Sequence, residues 1–258
     1  MGKLDGMTAL ITGADSGIGQ ATAVVFARDG ADVVVHYLED RTGADETRAH
    51  IEGLGRRASV VQADISQEAD VERMFDEALA AMGKVDILMN NAGVDASGTN
   101  VADLSTEVWD RAIRTNVYGT FFCCRRFIQH RRDNGGKGKI INVTSVHDTI
   151  PRAGAADYDA SKGAIANITT TLALELAPLR INVNSIGPGM VLTPFNQDAI
   201  DDPKVRQEQT DTIPWKRAAQ PEEVGKLALY LASEDADYVT GSTYYIDGGL
   251  MQNQGQGA

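Results

Sequence analysis

Short apolar runs alternate with amphipathic segments along the whole chain. The apolar runs are typical of buried parallel strands and lie at residues 7–12, 32–36, 58–62, 86–89, 138–144, 180–185 and 242–246. Helical periodicity predicts helices between them at residues 17–29, 41–54, 67–82, 105–131, 157–177 and 221–232. This alternation predicts one α/β domain over residues 1–258. We expect a doubly wound parallel sheet of about seven strands, with helices on both faces.

One segment interrupts this rhythm. Residues 187–215 contain several prolines and show little periodicity. A segment of that length without regular structure is uncommon in a compact domain and is usually functional. We therefore expect a substrate lid there.

Composition narrows the range of partners. The net charge is −12, and no basic run is present, which disfavours nucleic acid and anionic membrane surfaces. The two cysteines, Cys123 and Cys124, are adjacent and unsuited to a structural disulfide. No signal peptide, membrane span or metal site is predicted. By elimination, we expect a cytoplasmic location.

Polar residues follow the ends of several predicted strands. They include Asp64 after the third strand and Ser145 after the fifth, while the Asn90–Gly93 turn follows the fourth. In parallel sheets ligands bind at the carboxyl ends of the strands. We therefore expect these residues to share one site.

The segment from Gly13 to Gly19 has the spacing Gly-x-x-x-Gly-x-Gly, with Gly17 as its middle glycine. It lies between the first strand and the first helix, where glycines let backbone N–H groups approach a pyrophosphate. This position predicts dinucleotide binding, although a glycine cluster by itself is also compatible with a plain turn.

The end of the second strand bears on the choice between NAD and NADP. An acidic residue there would bind the adenosine ribose of NAD, and a basic one the extra phosphate of NADP. The segment instead reads His36-Tyr37-Leu38-Glu39-Asp40-Arg41, and Ser16 supplies no cation either. We favour NAD or dual use, with Arg41 able to compensate, and expect His36 to pack beside the cofactor.

Tyr158 and Lys162 are four residues apart in a predicted helix and so share one face. A neighbouring ammonium is expected to lower the pKa of the phenol, as a general acid/base for alcohol and carbonyl interconversion requires. Such a pair is also compatible with an exposed helix surface. Ser145 favours the catalytic interpretation, because its hydroxyl follows the fifth strand and can hydrogen-bond a substrate oxygen.

Together these motifs resemble the short-chain dehydrogenase/reductase family. The matching residues span the chain in order and are Thr12-Gly13-x-x-x-Gly17-Ile18-Gly19, Asn90-Asn91-Ala92-Gly93, Asn116, Ser145, Tyr158-x-x-x-Lys162 and Pro188-Gly189-x-x-x-Thr193. The resemblance implies a Rossmann-type fold, an NAD(P) cofactor and hydride transfer at a CH–OH group.

The resemblance also assigns roles. Tyr158 transfers the proton, Lys162 lowers its pKa and holds the nicotinamide ribose, Ser145 positions the substrate oxygen, and Asn116 holds a water in a proton relay. The remaining cofactor contacts that it implies are Gly13, Ser16, Gly17, Ile18, Gly19, Leu38, Asp64, Ile65, Asn91, Ala92, Gly93, Pro188, Gly189, Val191 and Thr193. Members of the family usually form tetramers through the two long helices.

A finer resemblance points to the glucose 1-dehydrogenase branch of that family. It rests on residues 144–151, on residues 186–189 and 193–196, and on the ending Asp247-Gly248-Gly249. It implies that Asp95, His147 and Asn196 bind substrate hydroxyls. His147 is equally consistent with a loop-orienting role, and Asn196 with a helix cap.

Three functions remain open from the sequence. The first is oxidation of a sugar or polyol hydroxyl, and the second is reduction of a ketone or of a 3-oxoacyl chain on a carrier protein. The third is a cofactor-binding protein without catalysis, which the complete set of Ser145, Tyr158 and Lys162 disfavours.

Overall fold

The computed structural model describes residues 2–253 and contains one seven-stranded parallel sheet. The strands are β1 (Thr8–Ile11), β2 (Asp32–Tyr37), β3 (Ala58–Gln62), β4 (Ile87–Asn90), β5 (Gly138–Val143), β6 (Ile181–Pro188) and β7 (Thr243–Ile246). Their order across the sheet is β3-β2-β1-β4-β5-β6-β7. The predicted doubly wound fold is confirmed, because the order reverses direction at β1, which lies between β2 and β4.

Nine α-helices connect the strands within the described part of the chain. They are α1 (Gly17–Arg28), α2 (Arg41–Gly53), α3 (Glu68–Met82), α4 (Thr106–Ala112), α5 (Gly119–Asp133), α6 (Ala156–Leu176), α7 (Gln197–Asp201), α8 (Pro203–Thr210) and α9 (Pro221–Ala232). None of the helices within residues 2–253 is long and apolar enough to cross a membrane.

Alternate strand residues pack into two separate hydrophobic cores, one on each face of the sheet. Ile11 and Val33 face the layer that contains α1, α2 and α9. Leu10 and Val34 face the opposite layer, which contains α3, α5 and α6. Because neighbouring strand residues point to opposite faces, an apolar run without alternation is what a sheet covered on both sides requires.

The long helix predicted over residues 105–131 contains an irregular turn. A π-helical turn, Ile113–Tyr118, separates α4 from α5 and contains the buried Asn116. The predicted long helix is present as a continuous helical segment, but periodicity did not reveal the π-turn inside it. Such π-turns often occur at functional sites.

The segment predicted as a lid also contains regular structure. Gly187 and Pro188 belong to β6 and pair with β7, so the excursion begins later than expected. It contains α7 and α8, which are too short and too polar for periodicity to reveal. Its base is closed where Val191 pairs with Ala219, so the two ends of the excursion are tied together.

Candidate active site

A cavity of about 1200 Å³ lies along the carboxyl ends of the strands. Every predicted cofactor residue except Gly19 lines it, and so do all the predicted substrate residues. Of the four predicted catalytic residues only Asn116 lies outside the lining. The topology therefore brings together side chains from distant parts of the chain, as the switch-point rule for parallel sheets requires.

The glycine loop is shaped by two glycines that no other residue could replace without strain. Gly17 has a φ of +54°, and a Cβ at Gly19 would lie 2.0 Å from the carbonyl oxygen of Gly13. The loop therefore folds tightly against the first turn of α1. Backbone N–H groups at a helix N-terminus form a favourable site for a pyrophosphate.

The turn after β4 is fixed against the glycine loop. The Thr12 hydroxyl accepts hydrogen bonds from the backbone N–H groups of Asn91 and Ala92, both at 3.0 Å. The Asn91 side chain in turn donates to the carbonyl oxygens of Thr12 and Gly13. These bonds hold two strand ends together, so the floor of the cavity is rigid.

His36 connects three strand ends. Its Nδ1 accepts a hydrogen bond from the backbone N–H of Gly13 at 3.0 Å, and its Nε2 lies 3.0 Å from the Ala63 carbonyl oxygen, to which it donates. This pattern fixes the neutral tautomer. Burial lowers the pKa of His36 to about 4, in agreement with that tautomer. The side chain packs in the cavity wall, as the sequence predicted.

Carboxylates line the end of the cavity beyond His36. They belong to Asp15, Glu39, Asp40 and Asp64. Burial, assisted by the charge of Asp40, raises the pKa of Asp15.

No cation from the second strand end offsets these carboxylates. Arg41 is paired with Asp45 at 2.8 Å and lies over the ring of Tyr37. It is absent from the cavity lining.

Ser145, Tyr158 and Lys162 meet in one wall of the cavity. Ser145 follows β5, and its Oγ accepts a hydrogen bond from the His147 N–H at 3.2 Å. Tyr158 and Lys162 lie in the first turns of α6, with the Lys162 Nζ 5.4 Å from the centre of the phenol ring. Lys162 is buried, and its Nζ donates to the Val143 carbonyl oxygen at 2.9 Å.

The pKa values of this wall differ from the sequence-based expectation. Burial raises the pKa of Tyr158 to about 12, and a hydrogen bond with Ser145 only partly opposes this. Burial lowers the pKa of Lys162 to about 8. Desolvation is the largest cause of the raised Tyr158 pKa and outweighs the lowering by Ser145 and Arg152. The lowering of the phenol pKa by Lys162 stays a prediction.

Asn116 lies behind the wall and not in it. Its side-chain oxygen accepts from the Val94 N–H at 2.8 Å, and its side-chain nitrogen donates to the Val94 carbonyl and to the Ser161 hydroxyl. These bonds occupy both amide hydrogens. The side chain thus joins the π-turn to α6 and to the loop after β4.

The three predicted substrate residues surround the same wall. His147 lies edge-on to the Tyr158 ring, and its Nδ1 is 2.9 Å from the Ile150 carbonyl oxygen. Asn196 donates to the Val191 carbonyl at 2.8 Å and does not cap α7 with its side chain. Asp95 lies in the loop after β4, half exposed.

Several lining residues were missed from the sequence. Arg152 stands near Tyr158 although it follows Ser145 by seven positions, and Leu250 reaches the cavity from beyond β7. Neither belongs to a motif. The turn Gly248–Gly249 holds the far side of the excursion, because the Trp215 N–H donates to the Gly248 carbonyl at 3.2 Å.

A glycine loop at the first strand end, facing a buried Ser–Tyr–Lys group, defines a dinucleotide-dependent oxidoreductase. Comparison with known proteins gives the same class. Residues 13–251 match the family model described as enoyl-(acyl carrier protein) reductase. The chain belongs to the short-chain dehydrogenase/reductase family and is an oxidoreductase.

Similar proteins include several dehydrogenases. The chain is 43% identical to 3beta-hydroxysteroid dehydrogenase 1 of Eggerthella lenta, over 96% of this chain and 94% of that protein. It is 41% identical to glucose 1-dehydrogenase 2 of Bacillus subtilis, over 96% and 95%. A solved gluconate 5-dehydrogenase from Burkholderia cenocepacia, in complex with NADP and tartrate, has a TM-score of 0.89 at 32% identity and 96% coverage of both chains.

Proposed function

We propose that this protein oxidises a hydroxyl group of a sugar or polyol, with NAD(P)+ as the hydride acceptor. The observation that carries the proposal is the meeting of Ser145, Tyr158 and Lys162 in one wall of a cavity whose other end is the glycine loop. The similarity to a glucose 1-dehydrogenase supports the sugar as substrate.

The residues present fit a dinucleotide. Gly19 packs against Gly13 with no room for a side chain, which lets a pyrophosphate approach the N-terminus of α1, and Asn91 fixes that loop from behind. Gly189, which has no room for a side chain against Asp247, opens the opposite wall. When bound there, the cofactor accepts the hydride, and the protein supplies position and proton transfer.

Tyr158 acts as the proton-transferring group. Ser145 hydrogen-bonds the substrate oxygen and holds it beside the phenol, so the substrate hydroxyl proton passes to Tyr158 Oη during oxidation. Lys162 places a positive charge behind the phenol, which stabilises the phenolate that accepts this proton. Asn116 is a positioning residue here, and water held at the π-turn completes the proposed path to solvent.

The acidic end of the cavity favours NAD over NADP. An additional phosphate on the adenosine ribose would meet Glu39 and Asp15, and Arg41 is held away by Asp45. The negative charges of this phosphate and of the two carboxylates would repel each other. Leu38, half exposed in the same place, offers neither attraction nor repulsion.

Three side chains are suited to bind substrate hydroxyls. Asp95, His147 and Asn196 line the same cavity as Tyr158. A polyol presents several hydroxyls, and each buried one needs a hydrogen-bonding partner. The enzyme should therefore discriminate against substrates that lack these hydroxyls, because the side chains of Asp95, His147 and Asn196 would then remain unpaired.

The experiment follows the absorbance of the reduced cofactor with a panel of aldoses, polyols and secondary alcohols, using NAD+ and NADP+ in turn. Tyr158→Phe is expected to lower turnover by about 10²–10⁴-fold, with cofactor binding retained. Tyr238→Phe, at a fully exposed tyrosine, is the matched control and should leave turnover unchanged. Full activity in Tyr158→Phe refutes the mechanism, and no response to any sugar or polyol refutes the substrate class.

Ketone reduction is the second candidate, because the same residues serve the reverse reaction. In that direction Tyr158 donates the proton to the carbonyl oxygen. The similarity in fold to a keto-reducing enzyme, with a TM-score of 0.89 and 33% identity, favours it. A carrier-bound 3-oxoacyl chain is disfavoured as substrate, because an acidic carrier protein would be repelled by a protein of net charge −12.

The excursion between Val191 and Ala219 is proposed as the lid. Its tied ends form a hinge, and Asn196, Gln209 and Thr212 face the cavity from it. Closure of such a segment excludes water from the reacting atoms.

We also propose a homotetramer in the cytoplasm. Apolar side chains remain exposed on the helices that the sequence assigned to assembly, including Tyr118, Phe121 and Leu174, the last 82% exposed. An exposed apolar area of this kind is typical of a protein interface. Fractionation of cells tests the location.

A further inference from the structure

Arg152 enters the cavity from the loop between Ser145 and α6. Its backbone is fixed, because its N–H donates to the Asp159 carboxylate at 2.9 Å and its carbonyl accepts from the Ala155 N–H. The side chain lines the same cavity as Ser145 and Tyr158. The guanidinium is therefore anchored at its base and faces the place where substrate must lie.

The guanidinium has unused hydrogen-bonding capacity. Its side chain is 52% exposed, and it donates no hydrogen bond to any other residue in the range 2–253. Its one acidic neighbour there is Asp95, whose Oδ1 is 3.8 Å from a guanidinium nitrogen and accepts instead from the Ala96 N–H at 2.7 Å. An exposed ion pair at that distance contributes little to stability, so stability does not explain this arginine.

Arg152 is within electrostatic reach of the reacting group. Its charge lowers the pKa of Tyr158, and that of Asp95 raises it. Arg152 lines the same cavity as Ser145 and Tyr158, so a substrate whose hydroxyl lies on those two residues can extend toward this arginine. The other arginine in the lining is Arg111 of α4.

We propose that Arg152 selects substrates that carry a carboxylate close to the hydroxyl that is oxidised, such as an aldonic acid or a short hydroxy acid. The planar guanidinium matches two carboxylate oxygens with parallel N–H donors. Asp95 favours a carboxylate over a phosphate as the group bound by Arg152, because the second negative charge of a phosphate would be repelled by the Asp95 carboxylate. The remaining substrate hydroxyls then lie against Asp95 and His147.

This inference rests on the proposed function and narrows its substrate class from sugars in general to sugar acids. It assigns a specificity-determining role to a residue outside the Ser145, Tyr158 and Lys162 group. The role is binding of a charged substituent, so its loss is expected in KM and in substrate preference more than in kcat.

The experiment compares two matched pairs of substrates, D-gluconate with D-sorbitol and D-glycerate with glycerol. Values of kcat/KM are measured with NAD+. We expect the wild-type enzyme to prefer the acid in at least one pair by tenfold or more. Arg152→Gln is expected to reduce kcat/KM for that acid about 100-fold and to change that for its neutral partner less than threefold. Arg152→Lys should recover part of the preference.

Two variants serve as comparisons. Arg111→Gln removes the other arginine of the lining and should leave the ratio of acid to neutral substrate unchanged. Asp95→Asn removes the competing carboxylate and should raise the preference for the acid. Binding of D-gluconate, measured by calorimetry, gives a readout that does not require turnover.

The outcomes separate the two proposals. Turnover of neutral polyols at least equal to that of the acids, unaltered by Arg152→Gln, overturns the role of Arg152 and leaves the dehydrogenase intact. If Arg111→Gln loses the preference for the acid as strongly as Arg152→Gln does, the assignment of this preference to Arg152 is also overturned. If no substrate turns over, the proposed function fails, and gluconate binding that is abolished by Arg152→Gln still supports the anion site, whereas absence of binding overturns it.

Discussion

At the scale of single residues, the strongest local constraint is the burial of two ionisable groups side by side. Burial raises the pKa of Tyr158 to about 12 and lowers that of Lys162 to about 8. The phenol is therefore protonated at neutral pH, and the ammonium is close to losing its charge. The rate at which Tyr158 can accept a proton is limited by the fraction present as phenolate. At pH values below the pKa, this fraction increases tenfold for each unit by which the pH is raised.

The pH dependence of oxidation follows from this. We expect kcat/KM for alcohol oxidation to rise between pH 6 and pH 8, because the fraction of Tyr158 able to accept a proton rises while Lys162 keeps most of its charge. The measurement is a pH profile at saturating NAD+, with the stability of the enzyme checked at each pH. A profile that is flat or falls over this range contradicts the assignment of Tyr158 as the base.

The preference for NAD+ over NADP+ is a second property that we assign to a single residue, Leu38. Leu38→Arg places a cation beside the acidic end of the cavity, where an arginine can pair with an additional ribose phosphate. We expect the ratio of kcat/KM for NADP+ to that for NAD+ to rise about 10–100-fold, the effect of one hydrogen-bonded charge. Leu54→Arg, at a half-exposed leucine outside the cavity, is the control. An unchanged ratio shows that Leu38 lies away from the ribose.

At the scale of elements, His36 links the ends of β1, β2 and β3 in the neutral form. Its pKa in the folded protein is about 4, below the ordinary value of 6.5. As the pH falls below 6.5, the unfolded chain takes up this proton before the folded one does, so stability is full above pH 6.5 and is lost progressively toward pH 4.

The loss attributable to His36 is about 3 kcal/mol of unfolding free energy by pH 4. Denaturant unfolding at pH 4.5 and pH 7 is expected to differ by about 2 kcal/mol from this cause in the wild type and by less in His36→Gln. His50→Gln, at an exposed histidine of α2, serves as the reference. Equal pH dependence in wild type and His36→Gln contradicts the role assigned to His36.

The elements were predictable where hydrophobic periodicity is strong. All seven strands, and α1, α2, α3, α6 and α9, agree with the sequence within a few positions, because each buries a regular apolar face. The π-turn at Asn116 and the short helices α7 and α8 were not predictable. The first depends on tertiary hydrogen bonds to Val94 and Ser161, and the others lack an apolar face long enough to detect.

The candidate site shows the same division. Residues inside motifs, such as Tyr158 and Gly17, were predicted because their spacing is informative by itself. Arg152 and Leu250 were not, because only the fold brings them beside the cavity. The raised pKa of Tyr158 was not predicted, since the degree of desolvation is a property of packing and not of spacing.

At the scale of the whole molecule, the exposed apolar residues of α5 and α6 govern assembly in our proposal. We expect a mass four times the 27.6 kDa of one chain by light scattering. Leu174→Glu should shift the mass downward, because a buried charge without a partner disfavours the interface. Val101→Glu, at an exposed loop valine, is the control. A monomeric wild type, or a tetramer unaffected by Leu174→Glu, contradicts this assembly.

The attachment of Trp215 to the turn at Gly248 has an optical consequence. This indole is 69% exposed, lies beneath the guanidinium of Arg217 and follows α8 in the excursion. In a Trp109→Phe background it is the sole tryptophan, so its emission becomes an intrinsic signal for that region. If the excursion closes over bound substrate, the emission maximum should move to shorter wavelength as water leaves the indole. Stopped-flow fluorescence would then time the opening and closing of the active site without an attached dye.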